Sequence, residues 1–280
     1  MRCDSHVHIV GPTDRYPQVA DRTYLGDVAT LKQLEGVSAT RAIRRFVIVQ
    51  PSFYGADNSL LLESLVTLAG RGRGVAVVDP RATSARTLSG MAEQGVRGLR
   101  LNLYSPLREK VPLAECFAAI AGLARELNWH IEIVAPLKMI NQNAELLRTS
   151  RVPIMIDHYG LYTGILPGEP EGGALLKLLA MPNMWIKLSA PYRVSAKSLA
   201  TKPDPAWHAA ILAAAPDRCV WGSDWPHTPP HETQMGSAVL APYRSLRYET
   251  LVDDFIAGTG SAGLAERILS DNPARLYEFE

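Results

Sequence analysis

Eight short runs rich in β-branched and apolar residues, near 5–10, 42–50, 74–78, 98–103, 129–134, 152–157, 184–189 and 219–224, recur along the 280 residues. Between them lie helix-like stretches at 60–69, 85–93, 114–127, 143–147, 174–179 and 205–214. Their spacing, about thirty residues, is that of a βαβ unit. Such crossovers are right-handed, so eight in succession close a parallel sheet on itself. The expectation is an α/β chain folded as a single (β/α)8 TIM barrel over 1–280, with no Pro/Gly/Ser linker to divide it. An open doubly wound sheet is the alternative. It fits less well, because no glycine-rich phosphate loop follows any run, whereas polar residues gather where the runs end.

Asn58 or Ser59 is expected to cap the helix near 60–69, since a short side-chain oxygen there accepts an orphan amide hydrogen, and Gly70 to end it. Three stretches without a period, 11–23, 159–173 and 228–242, follow runs one, six and eight and read as long loops. In a barrel of this kind the loops after the strands carry the chemistry.

Lys and Arg number 29 against 28 Asp and Glu, a net charge of +1, so no global field draws the chain onto nucleic acid or an anionic membrane. No stretch approaches eighteen unbroken apolar residues, and no apolar segment follows a basic start, so neither a membrane span nor a secretion signal is expected. Cys3, Cys116 and Cys219 are too scattered for a disulfide framework and fit a reducing, cytoplasmic compartment. Cys219 opens run eight, away from the expected active end, and is not read as a nucleophile.

Run one reads Asp4-Ser5-His6-Val7-His8, and a period of two places Asp4, His6 and His8 on one face. Run six ends in Asp157-His158-Tyr159-Gly160, and run eight in Trp221-Gly222-Ser223-Asp224-Trp225-Pro226-His227. Taken singly, the His-x-His pair can be structural, His158 a packing histidine and Asp224 a turn residue. Taken together at the carboxyl ends of three strands, they form a set suited to polar catalysis, and also to zinc or manganese, which take neutral imidazole and carboxylate.

These motifs resemble the amidohydrolase superfamily, and within it the lactonase-like branch typified by the 2-pyrone-4,6-dicarboxylate lactonases. Gly55-Ala56-Asp57-Asn58, Gly95-Val96-Arg97-Gly98-Leu99-Arg100-Leu101-Asn102 and Asp271-Asn272-Pro273-Ala274-Arg275-Leu276-Tyr277 extend the likeness nearly end to end. The resemblance implies a hydrolase that opens a small, carboxylated lactone by water attack. Asp224 would be the general base, and His6, His8 and His158 would polarise the carbonyl. Arg100 and Arg193 match positions that contact substrate carboxylates in that branch, and guanidinium suits that task through its paired donors. Tyr24, Tyr54 and Tyr104 are candidate pocket walls, and Ser189 and His227 candidate hydrogen-bonding neighbours.

The likeness fails in places. Leu161 stands where the branch has an arginine, a second loop arginine falls near Pro106 with Arg108 close by, a strand-five tyrosine is Val134, and a histidine after run two is Tyr54. The chemistry is therefore carried over more firmly than the pyrone substrate. Arg100 occupies the place of a metal-bridging residue and its permanent charge repels a divalent ion. No cofactor is expected, with one zinc or manganese ion at His6, His8, His158 and Asp224 as the alternative. The alternative activities are a metal-dependent decarboxylase of a small unsaturated or aromatic acid, a lactone isomerase, and a barrel that only binds a carboxylate. The partner expected is a small anionic lactone or acid, and the composition is compatible with a homo-oligomer.

Overall fold

The computed structural model describes residues 1–104, 112–229 and 236–280. Eight parallel strands follow one another in chain order: β1 Arg2–Val7, β2 Ile43–Val49, β3 Gly72–Ala76, β4 Val96–Asn102, β5 His130–Val134, β6 Ile154–Ile156, β7 Met184–Ser189 and β8 Cys219–Gly222. Helices lie between them: α1 Leu31–Ser38, α2 Ser59–Leu68, α3 Ala85–Glu93, α4 Leu113–Glu126, α5 Leu137–Gln142, α6 Ala144–Arg148, α7 Pro170–Leu179 and α8 Pro205–Ala214. After β8 come α9 Tyr248–Gly258, α10 Ala262–Glu266 and α11 Asn272–Tyr277. The fold is the expected (β/α)8 barrel. No helix among the described residues is long and apolar enough to cross a membrane.

The strands are buried on both faces, which is why they read as nearly continuous apolar runs. One face, including Phe46, Ile48, Leu99, Ile131 and Ile133, packs with the surrounding helices. The other face fills the barrel with Val47, Val49, Val75, Met155, Trp185 and Val220, and Tyr277 and Phe279 close this cluster at the strand beginnings. The motif ending in Tyr277 thus forms the floor. Asn272 Nδ2 donates to the carbonyls of Pro216 (3.0 Å) and Cys219 (2.8 Å), and Arg73 Nε donates to that of Tyr277 (2.9 Å).

Several local expectations shift. β1 begins three residues earlier than expected, since its pairing with β2 starts at Arg2, and it ends earlier because at Val7 the chain turns to pair with Trp225. Asn58 precedes α2 but does not cap it: its amide nitrogen donates to the carbonyls of Ala56 (2.9 Å) and Val77 (2.8 Å), while Asp57 Oδ1 accepts from Ser59 N–H (3.0 Å). Ala69 and Gly70 both turn left-handed after the helix. The helix expected at 143–147 is α6, with α5 packed before it, and α1 and α9–α11 escaped the periodicity reading. The chain just after loop one meets loop three in a two-residue pairing of Leu25–Gly26 with Leu240–Ala241. Residues 230–235 of loop three, and Pro106 and Arg108, lie outside the described residues.

Asp4 does not share the inward face of His6 and His8. The register of β1 against β2 breaks between Asp4 and Val7, and an irregularity of this kind cancels the period of two. Asp4 instead accepts from Tyr248 Oη of α9 (2.9 Å) through one oxygen, and from Ser223 N–H (2.9 Å) and His6 N–H (3.2 Å) through the other. Burial lifts its carboxyl to about 6, against the pull of these hydrogen bonds. A raised carboxyl favours folding fully below its unfolded value near 4 and loses that contribution as pH rises through 6. Tyr248→Phe leaves one Asp4 oxygen buried and unpaired, so it is expected to cost about 1–3 kcal/mol at neutral pH in urea unfolding, and less below pH 4, where Asp4 is protonated in both states.

Candidate active site

The site forms at the seam where β1 meets the end of β8. Asp224 N–H donates to the His6 carbonyl (2.9 Å) and His8 N–H to the Trp225 carbonyl (2.8 Å), so the two chain ends are laced together by backbone. Gly222 makes that approach feasible: a Cβ there would stand 2.6 Å from His6 Cβ and 2.9 Å from its nitrogen. Asp224 itself adopts φ +59°, a conformation costly for a residue with a side chain. The result is that Asp224 Oδ1 faces His6 Nε2 at 3.6 Å and His8 Nε2 at 3.5 Å.

The two oxygens of Asp224 have different surroundings. Oδ2 accepts from Tyr192 Oη (2.7 Å) and from Arg193 Nε (2.9 Å), with Arg193 Nη2 in ion-pair contact at 2.8 Å. Oδ1 is buried and has no hydrogen-bond partner in the fold. Burial opposes the charge on this carboxylate, but its surroundings, the Arg193 guanidinium first among them, outweigh it and hold Asp224 well below the ordinary carboxylate range. Asp224 is thus ionised, fixed through one oxygen and unoccupied at the other.

Each histidine is gripped from behind. His8 Nδ1 lies 2.7 Å from the Val49 carbonyl and must donate to it. His158 Nδ1 pairs with Ser189 Oγ at 2.9 Å, and its ring lies 4.7 Å from that of His6. Behind His6 stands Lys187, fully buried on β7, with its ammonium 3.1 Å from His6 Nδ1 and in ion pairs with Glu132 of β5 and with Asp157 (3.5 Å). Burial, then the Lys187 charge, push His6 well below its ordinary value, so its ring is neutral. Burial likewise lowers His158, against the attraction of Asp224.

Ligand atoms of His6, His8 and Asp224 all lie within 4.8 Å of one another, the right donor chemistry for zinc or manganese. A metal ligand must offer a lone pair. Lys187 can only donate to His6 Nδ1, which leaves the proton of a neutral ring on Nε2, the atom that faces Asp224. The residues therefore do not fit an ion held through His6.

His8, Tyr24, Arg100, His158, Arg193 and Asp224 line one narrow cleft, with Thr228, Phe53, Tyr104 and Val134 around them. Arg100 Nη1 donates to the Gln50 carbonyl (2.8 Å), while its Nε has no partner. Arg193, expected to face substrate, spends two nitrogens on Asp224 and places Nη2 also on Thr228 Oγ1 (2.6 Å). Ser189 is behind His158. Tyr54 stays off the cleft wall, its hydroxyl accepting from Gly11 N–H (3.1 Å), and His227 lies behind Asp224 beside Tyr192, with burial lowering it to about 4. Tyr192, Thr228, Lys187 and Glu132 escaped the sequence reading. Lys187 and Glu132 do have a signal: each is a lone charge in the middle of an apolar strand.

Arg193→Gln removes the guanidinium that offsets the burial of Asp224. The Asp224 carboxyl is expected to rise to or above its ordinary value, read from the pH titration of its side-chain carbon signal by NMR. An unmoved titration would show that Arg193 does not set this charge.

The amidohydrolase family model matches residues 3–279. A 2-pyrone-4,6-dicarboxylate hydrolase of Comamonas testosteroni is 30% identical over 285 aligned residues, covering 98% of this chain and 89% of that protein. A 4-sulfomuconolactone hydrolase of Hydrogenophaga intermedia is 28% identical over 276, covering 98% and 88%. A crystal structure of a probable 2-pyrone-4,6-dicarboxylic acid hydrolase from Acinetobacter baumannii, with citric acid bound, matches with a TM-score of 0.76 at 25% identity over 99% of both chains. With a family match over nearly the whole length and the seam geometry behind it, this chain belongs to the amidohydrolase family.

Proposed function

We propose that this protein hydrolyses a small anionic lactone, with Asp224 as general base and no metal. The observation that carries the reading is the divided Asp224 carboxylate: Oδ2 clamped by Tyr192 and Arg193, Oδ1 buried, ionised and unpaired beside two imidazoles. Relatives named for sulfomuconolactone and pyrone-dicarboxylate hydrolysis support the substrate class, and the citric acid in the Acinetobacter baumannii structure is an anionic ligand. The unpaired Arg100 Nε and the hydroxyl of Tyr24 offer donors for an anionic group in the cleft.

In this reading a water loses a proton to Asp224 Oδ1 as its oxygen attacks the lactone carbonyl. The carbonyl oxygen becomes an oxyanion, and the free Nε2–H of His6 donates to it, with His158 beside it. Collapse breaks the ring carbon–oxygen bond, and the proton on Asp224 passes to the leaving oxygen. Catalysis without a metal is supported by His6, which is held with its proton, not a lone pair, towards the reacting atoms. Decarboxylation has less support, since Val134 stands at the mouth of β5 and offers no proton-handling group there.

Asp224→Asn keeps the shape and removes the base, so ring opening of an anionic lactone panel is expected to fall about 10²–10⁴-fold while the melting temperature stays near wild type. Near-normal turnover would refute the assignment. Because Asp224 is depressed, kcat/KM is expected to lose no activity to its protonation until the pH is well below 4, and an acid limb set by Asp224 at pH 6 would contradict its environment. Protein purified without added metal is expected to contain none in stoichiometric amount by elemental analysis and to keep its activity in chelator. Loss of activity that zinc or manganese restores would overturn the metal-free reading.

A further inference from the structure

A fully buried ammonium inside a barrel calls for a reason, because stripping it of water costs more than an ion pair reliably returns, and an apolar side chain of similar volume would pack there as well. Lys187 has three protons and no lone pair. Its partners are Glu132 Oε2, Asp157 Oδ1 at 3.5 Å and His6 Nδ1 at 3.1 Å. The carboxylates alone would satisfy the charge. The contact with His6 is of another kind, since it determines which nitrogen of that ring holds the proton.

We propose that Lys187 is a positioning residue that fixes His6, itself fully buried behind the cleft lining, as the Nε2–H tautomer and turns that hydrogen to the side of Asp224 Oδ1. Without Lys187, the groups left behind His6 Nδ1 are Asp157 Oδ1 at 3.5 Å and Glu132 Oε1 at 3.7 Å, both acceptors, and they favour the opposite tautomer, with the proton on Nδ1. With Lys187 in place, Nε2–H has no partner in the fold and is unspent until a substrate oxygen arrives. His8 is set the other way, since its Nδ1 donates to the Val49 carbonyl at 2.7 Å and a neutral ring then keeps its lone pair on Nε2. Two histidines of one His-x-His motif are therefore given opposite roles by what stands behind them: His6 donates to the carbonyl oxygen and His8 accepts from water. The part played in turnover rests on the lactonase reading; the tautomer does not.

The test is the two-bond proton–nitrogen NMR pattern of the resting protein labelled in its imidazole nitrogens, with His6 identified by comparison with His6→Gln. Wild type is expected to have His6 protonated on Nε2 and His8 on Nδ1. Lys187→Met is expected to move the His6 proton to Nδ1 and to lower kcat at least about tenfold with KM little changed. Lys187→Gln, whose amide can donate without charge, is expected to recover the Nε2–H pattern and part of kcat. If Lys187→Met does not fold because Glu132 is left unpaired, Lys187→Met with Glu132→Met removes both charges, adds no donor and leaves Asp157 Oδ1 as the acceptor behind His6 Nδ1, so it gives the same reading. A wild-type His6 protonated on Nδ1, or a His6 pattern unchanged by loss of Lys187, overturns the proposal. The expected tautomers in a protein that opens no lactone would uphold the positioning role and reject the function assigned above.

Discussion

The closure of the barrel between its first and last strands is the constraint from which the site follows. Two backbone hydrogen bonds, Asp224 N–H to the His6 carbonyl and His8 N–H to the Trp225 carbonyl, set the register of that seam. A slip of one residue would turn the side chains of one strand to its other face and separate His6 and His8 from Asp224. Asp4 bolts the same seam from outside, tying Ser223 and the His6 backbone to Tyr248 on α9. Gly222 leaves room for His6 to come close. Stability and site geometry are thus one problem at this place, and the residues that solve it are mostly not those that face the cleft.

Charge inside the barrel is stacked in levels. The floor, from Cys3 to Tyr277 and Phe279, is apolar. Above it Lys187 lies among Glu132, Asp157 and His6, and Arg100 is 4.0 Å from Asp157. Burial and Asp157 push the Glu132 carboxyl up, but its surroundings, the Lys187 ammonium first among them, hold it below its ordinary value. At the top, Arg193 and Tyr192 neutralise one oxygen of Asp224 and leave the other. A buried, fixed arrangement of this kind acts strongly on charge that develops in a reaction, because little reorganisation is needed when it appears. A net charge of +1 over the molecule means that any attraction for an anion has to be local, and Arg100 places a guanidinium at the cleft.

The barrel was legible because its signal is repetition: eight apolar runs with a βαβ spacing outvote the ambiguity of any one of them. Boundaries were less so. β1 was misplaced because its last residues are held by Trp225, a contact across more than two hundred residues that no local pattern announces. The same distance hid the role of Asp4, where a break in register overrode alternation. His6, His8, His158 and Asp224 could be found because their types and positions at strand ends were unusual together. Tyr192 and Thr228 could not, since a tyrosine and a threonine in loops are ordinary until Asp224 and Arg193 are seen to touch them. Lys187 and Glu132 were visible as lone charges in apolar strands, but their meaning depends on each other and on His6. Arg193 was found for a reason that geometry alters: it serves Asp224 before it can serve a substrate.

The central claim is that a water, activated by Asp224 Oδ1, attacks the carbonyl carbon directly. A single turnover of an opened lactone in ¹⁸O-water, followed by mass spectrometry of the product and of the peptide containing Asp224, tests it most directly. The account predicts one heavy oxygen in the new carboxylate and none in Asp224. Label in Asp224 would mean that the carboxylate itself attacks, label in the product hydroxyl would mean attack at the other ring carbon, and either result would contradict it.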